Sequence, residues 1–131
     1  MVTPFLNNAQ ESLGLVSFEK AISFLVKTGA RSVTVTGVLG ESSRLTDVER
    51  EFLIRTDRQT IDRSKGDKSF YLCVGTSYSN TFAAVALSQM ALELGTDGIM
   101  VSPQKDGISA PQPQLDDILI LFRQMQEVCS G

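Results

Sequence analysis

No histidine occurs among the 131 residues. Its absence removes the usual zinc ligand, the usual general base near neutral pH, and every Ser-His-Asp or Cys-His arrangement. Cysteine is almost as scarce, with Cys73 inside an apolar run and Cys129 near the end. Without a secretory leader, reduced thiols are expected rather than a disulfide. Basic residues form no run able to neutralise a row of phosphates, and 12 of them against 15 acidic ones leave a slight negative charge, which makes nucleic acid a poor partner. The start, Met1-Val2-Thr3-Pro4-Phe5, sets no basic stretch ahead of an apolar one, and no apolar run approaches the roughly eighteen residues of a membrane span. A soluble, cytoplasmic protein without a membrane segment is expected. Its chemistry has to come from Lys, Tyr, Asp, Glu or hydroxyl groups.

Three short apolar runs rich in β-formers are present, at residues 32–36, 70–74 and 98–101, and each has the length of a strand. Longer segments with helical spacing separate them. Phe18, Ala21, Ile22 and Leu25 share one face of a first helix, which Gly29 closes. A second opens with Thr46-Asp47-Val48-Glu49, where the threonine hydroxyl caps a free amide and Glu49 reaches back. Its sparse apolar face, Val48, Phe52, Leu53 and Ile61, and the charges from 55 to 63 predict a helix on the outside with a solvated surface. A third runs from about Thr81 to Leu94, stops at Gly95, and is apolar almost all round, so it is expected between neighbours. A fourth starts near Pro113 with a core stripe of Leu115, Ile118, Leu119, Phe122 and Val128. The Pro/Gln-rich stretch 109–114 reads as a loop.

Strand and helix thus alternate with a repeat of roughly thirty to thirty-five residues, which demands crossover connections and a mainly parallel sheet. The class is α/β, in one domain covering residues 1–131. A doubly wound open sheet and a closed barrel both share this pattern, and periodicity does not choose between them.

In parallel α/β folds the chain passes the active side just after each strand. The first such segment is Gly37-Val38-Leu39-Gly40-Glu41-Ser42, whose two glycines permit a tight turn and present backbone amides to an anion. It has neither the Gly-Lys-Ser/Thr ending of a phosphate loop nor the dinucleotide fingerprint. Read alone, it is a strand-to-helix turn held by Glu41, with anion binding as the less common alternative. The second segment runs from Gly75-Thr76 to Asn80-Thr81. The third is Ser102-Pro103-Gln104-Lys105; a lysine in such a loop forms an imine only if desolvated, and the plainer reading of Lys105 is a solvated charge.

Thr3-Pro4-Phe5, the Gly37 to Ser42 turn with Leu45-Thr46, Gly75-Thr76 with Asn80-Thr81, and Gly95-Thr96-Asp97-Gly98 leading to Val101-Ser102-Pro103 follow one another in an order and spacing that resembles the dihydrodipicolinate synthase / N-acetylneuraminate lyase family. The resemblance implies a partial (β/α)8 barrel of about the first four β/α units. It also implies aldolase-type lyase chemistry on pyruvate or a related 2-oxo acid through a Schiff base, with no metal and no organic cofactor. By the same resemblance Gly37, Val38, Leu39 and Thr3 would meet the substrate, and Gly40, Glu41 and Ser42 would hold the turn. Family members usually carry hydroxyl residues where Val38 and Leu39 stand, so here only backbone amides remain for the carboxylate. Gln104-Lys105 replaces the aromatic pair that lends a tyrosine to a neighbouring subunit, and the family's imine-forming lysine and its tyrosine come from later strands that these residues do not match. The expectation is a catalytically silent N-terminal half, clipped at both ends, that forms homo-oligomers or lacks its C-terminal partner half. The alternative is a small doubly wound binding or interaction domain without aldol chemistry.

Overall fold

The computed structural model describes residues 1, 3, 4, 6, 14–37, 44–78, 80–102 and 115–130, with backbone alone for 115–118. The element order is α1 (Leu15–Lys27), β1 (Ser32–Val35), α2 (Asp47–Lys65), β2 (Tyr71–Gly75), α3 (Thr81–Glu93), β3 (Gly98–Met100) and α4 (Leu115–Ser130). The three strands lie parallel in the order β1-β2-β3. Val33 stands opposite Leu72, Cys73 is level with both Thr34 and Gly98, and Val74 is opposite Ile99.

Alternation along the strands decides where the helices go. Val33, Val35, Leu72 and Val74 point to one face and form one core with Phe18, Ile22 and Val26 of α1, Leu53, Ile54 and Ile61 of α2, and Ala91 of α3. A second core joins Ala84 of α3 to Leu121 and Met125 of α4, with Ile99 touching both cores. All four helices therefore cover the same face. The other face carries Ser32, Thr34, Tyr71, Cys73, Gly98 and Met100, with Tyr71 and Met100 exposed. A doubly wound sheet has helices on both faces and reverses its strand order at the switch point. Neither holds here, so the doubly wound alternative is wrong. One-sided winding in sequential order is the pattern of a barrel segment, and among the described residues the sheet remains open.

The helix signals act as their chemistry requires. The Thr46 hydroxyl accepts from the Glu49 amide at 3.3 Å, and the Thr46 amide donates to the Glu49 carboxylate at 2.7 Å, a complete capping box. Gly29 (φ 90°) and Gly95 (φ 89°) take the left-handed conformation that stops α1 and α3. Behind Gly29 the Ala30 amide reaches back to the Leu25 carbonyl at 3.1 Å, satisfying an end that a side chain with Cβ would strain.

Two faces differ from expectation. On α2, Val48 and Phe52 are exposed, whereas Arg50, Leu53, Ile54, Asp57, Thr60 and Ile61 are buried. Leu53, Ile54 and Ile61 set the inward side, and helical geometry brings position 57 along with them. The charged stretch 55–63 is thus only partly a solvated surface. On α4, Leu119 and Phe122 are exposed and Val128 is half-buried, while Leu121 and Met125 turn inward; packing against Ala84 selects one of two apolar stripes. The side chains of Leu115 and Ile118, and the segment 109–114, lie outside the described residues.

Candidate functional site at the strand ends

The ends of β1, β2 and β3 converge on a mouth built from Thr36-Gly37, Gly75-Thr76-Ser77-Tyr78 and Met100-Val101-Ser102. The parallel register brings Gly75 level with Met100, and the Thr76 amide donates to the Met100 carbonyl at 2.9 Å. Thr36 leaves β1 with φ 52°, the single non-glycine at positive φ among the described residues. That conformation costs about 1–3 kcal/mol and persists only where the surroundings enforce it. Here the buried Thr36 hydroxyl donates to the Val35 carbonyl at 2.8 Å or the Gly75 carbonyl at 3.1 Å. Gly75 is required alongside, because a Cβ at that position would lie 2.5 Å from the Thr36 carbonyl oxygen. The first turn of the mouth is therefore strained and tightly held.

The second turn is anchored from behind. Thr76 is wholly buried, and its hydroxyl accepts from Ser88 of α3 at 2.8 Å. Ser77 and Ser102 bridge the segments after β2 and β3, with hydroxyl oxygens 3.0 Å apart and the Ser102 amide donating to Ser77 at 2.9 Å. Next to them, the Tyr78 hydroxyl donates to the Asp47 carboxylate at 3.3 Å. Arg50 bonds that same carboxylate at 2.8 Å and stacks on the Tyr78 ring at 4.8 Å from its centroid. This cluster ties the segment after β2 to the first turn of α2, where an acidic residue also suits the helix dipole.

Of the residues singled out in the sequence, Gly37 sits at the mouth, where a Cβ would meet the Met100 methyl at 3.3 Å. Thr3 is buried near the outer side of β1: two residues earlier, the Met1 amine donates to the Thr34 carbonyl at 2.8 Å. Val38, Leu39, Gly40, Glu41, Ser42 and Lys105 lie outside the described residues. Thr36 and the Asp47–Arg50–Tyr78 cluster were not anticipated. Thr36 gives no local signal, because its backbone is dictated by Gly75 on the neighbouring strand, and Arg50 meets Tyr78 only through tertiary packing.

Asp57 is a second surprise. It is fully buried on α2, neither carboxylate oxygen has a hydrogen-bond partner among the described residues, and burial pushes its pKa up to about 8. It packs into the helix-covered side of the sheet, away from the mouth.

A parallel sheet wound on one face, with glycine and threonine turns gathered at the strand ends, defines a segment of a (β/α)8 barrel. Residues 1–104 match the dihydrodipicolinate synthetase family, and the chain belongs to that family. An uncharacterised DapA-like lyase of Thermococcus onnurineus is 34% identical over 103 residues, covering 79% of this chain and 32% of that protein. The 4-hydroxy-tetrahydrodipicolinate synthase of Rickettsia montanensis is 31% identical over 130 residues, 99% of this chain and 40% of its own length. Among solved structures, a dihydrodipicolinate synthase of Bacillus anthracis superposes with a TM-score of 0.80 at 26% identity, over 98% of this chain and 40% of that one. The enzyme of Cyanidioschyzon merolae gives 0.82 at 22% identity and shows the fold. The chain thus spans 32–40% of the length of these proteins. No helix among the described residues is long and apolar enough to cross a membrane.

Proposed function

We propose that this chain, as one domain, supplies the N-terminal half of the substrate mouth of an aldolase-type lyase and holds the carboxylate of pyruvate or a related 2-oxo acid through backbone amides. The observation that carries this reading is the strained Thr36-Gly37 turn, locked by Gly75 at the C-terminal ends of parallel strands, where such barrels bind substrate. Gly37 opens the turn, Val38 and Leu39 offer amides to the carboxylate, Thr3 lines the neighbouring side, and Gly40, Glu41 and Ser42 hold the turn's shape. Backbone amides suffice to bind an anion, but without hydroxyls at positions 38 and 39 they relay no proton.

The chain by itself forms no imine. Lys20, Lys27 and Lys65 lie on helices and Lys68 precedes β2 at the opposite end of the sheet, so none of these amines faces the mouth. With Lys105 read as a solvated charge, covalent chemistry draws on a lysine from outside this chain, and no cofactor is invoked. Treating the chain with pyruvate and borohydride is expected to leave its 14.3 kDa mass unchanged, while a pyruvate titration followed by amide NMR moves Gly37 and its neighbours. A borohydride-trapped adduct on Lys105 would refute the silent reading, and an unmoved Gly37 amide would refute the carboxylate site.

A further inference from the structure

Two serine hydroxyls meet at the rim of the mouth, on the face of the sheet that the helices leave bare. The Thr76 side chain turns into the helix layer, where it meets Ser88. By strand alternation Ser77 then projects from the opposite face, that of Tyr71 and Cys73. Ser102 follows Met100 by two residues and projects from the same face. The register that sets Gly75 level with Met100, carried two residues further, sets Ser77 level with Ser102, and their hydroxyl oxygens lie 3.0 Å apart.

The bonds of this pair leave one proton over. The Ser77 oxygen accepts the Ser102 amide at 2.9 Å, the donor that a regular parallel ladder would give to the Thr76 carbonyl. That bond fixes the Ser77 oxygen against the neighbouring backbone. Each serine brings one hydroxyl proton, and one of the two serves the bond between them. Whichever serine donates, the other keeps its proton, and no further partner takes it among the described residues. In either arrangement the pair offers a single neutral donor on the open face, which matches a single carbonyl oxygen.

The spacing from the first turn suits a small ligand. The Gly37 Cα lies 3.0 Å from where a Cβ on Gly75 would stand, so Gly37 sits beside Gly75. Ser77 is two residues further, roughly 7 Å along the chain. Two hydrogen bonds of about 2.9 Å each take up most of that distance and leave room for two adjacent carbons that carry the bonded oxygens. Val38 and Leu39 bring no hydroxyl to the turn, whereas Ser77 and Ser102 bring two.

We propose that the Ser77–Ser102 pair is a specificity-determining subsite, which donates a hydrogen bond to the C2 oxygen of an acid whose carboxylate lies on the Gly37 turn. The inference rests on the carboxylate reading and adds to it a choice among acids: the pair selects those with a carbonyl at C2.

Amide NMR titrations of the 131-residue chain with pyruvate and with propionate test this choice. The two acids share the carboxylate and the carbon chain and differ in the C2 oxygen. Pyruvate should bind roughly three- to tenfold more tightly and move the Ser77 and Ser102 amides together with Gly37, while propionate moves Gly37 alone. Ser77→Ala combined with Ser102→Ala should lower pyruvate to the affinity of propionate and leave propionate unchanged. Ser77→Thr, which retains a hydroxyl, should keep the preference. Equal affinities of the wild-type chain for the two acids, or a preference that survives the double alanine variant, overturn this inference and leave the carboxylate reading standing. If neither acid moves Gly37, both fall.

Discussion

At the scale of single residues, the most consequential side chain is one that no motif marks. Asp57 enters the core because its helix neighbours Leu53, Ile54 and Ile61 must, and a carboxylate buried there without a hydrogen-bond partner among the described residues is costly to ionise. Folded, it keeps its proton to a pKa of about 8; the ordinary value is 3.8. Between these limits the folded state binds more protons than the unfolded one, so stability falls as pH rises, by up to about 1.4 kcal/mol per pH unit, and levels off above 8. Glu49 works in the other direction. The Thr46 backbone and side chain hold its carboxyl below the usual range, so its contribution is present above the ordinary glutamate pKa and lost only in acid. The window from pH 5 to 8 therefore belongs to Asp57. Asp57→Asn is expected to flatten the fall in denaturation midpoint over that window. Parallel pH profiles for the variant and the parent would show that burial does not govern this group.

Among the elements, α2 shows how far local chemistry reaches. Its start follows from Thr46 and Glu49 alone, and both reciprocal bonds are formed. Thr46→Ala removes the hydroxyl that accepts from the Glu49 amide and is expected to cost about 1 kcal/mol, read as a lowered denaturation midpoint with the fold unchanged; no loss would mean that the packing of Arg50 and Leu53 fixes the helix start unaided. Its orientation is another matter. Val48 and Phe52 have the hydrophobicity of core residues, yet both are exposed, Val48 at the cleft with α3 that Phe82, Leu87 and Met90 line. A helix with a weak apolar stripe takes its rotation from what it packs against, and the same holds for α4.

For the molecule as a whole, the open sheet governs behaviour. Among the described residues the sheet buries one face under helices and leaves Tyr71 and Met100 exposed on the other. If association covers that face, the thermal midpoint should rise with protein concentration, because mass action stabilises the associated form. A midpoint that stays constant over a hundredfold range of concentration would indicate an arc that is stable alone.

The sequence by itself determined the alternation of strands and helices, the capping box, the glycine stops and the order of glycine-threonine turns that places this chain in its family, because each depends on residues close together along the chain. Only the tertiary structure decided that every helix covers the same face, that Thr36 is strained against Gly75, that Arg50 stacks on Tyr78 and that Asp57 is buried. These depend on which surfaces meet across strands and helices distant in sequence, and periodicity cannot rank the faces of a helix whose neighbours are not yet placed.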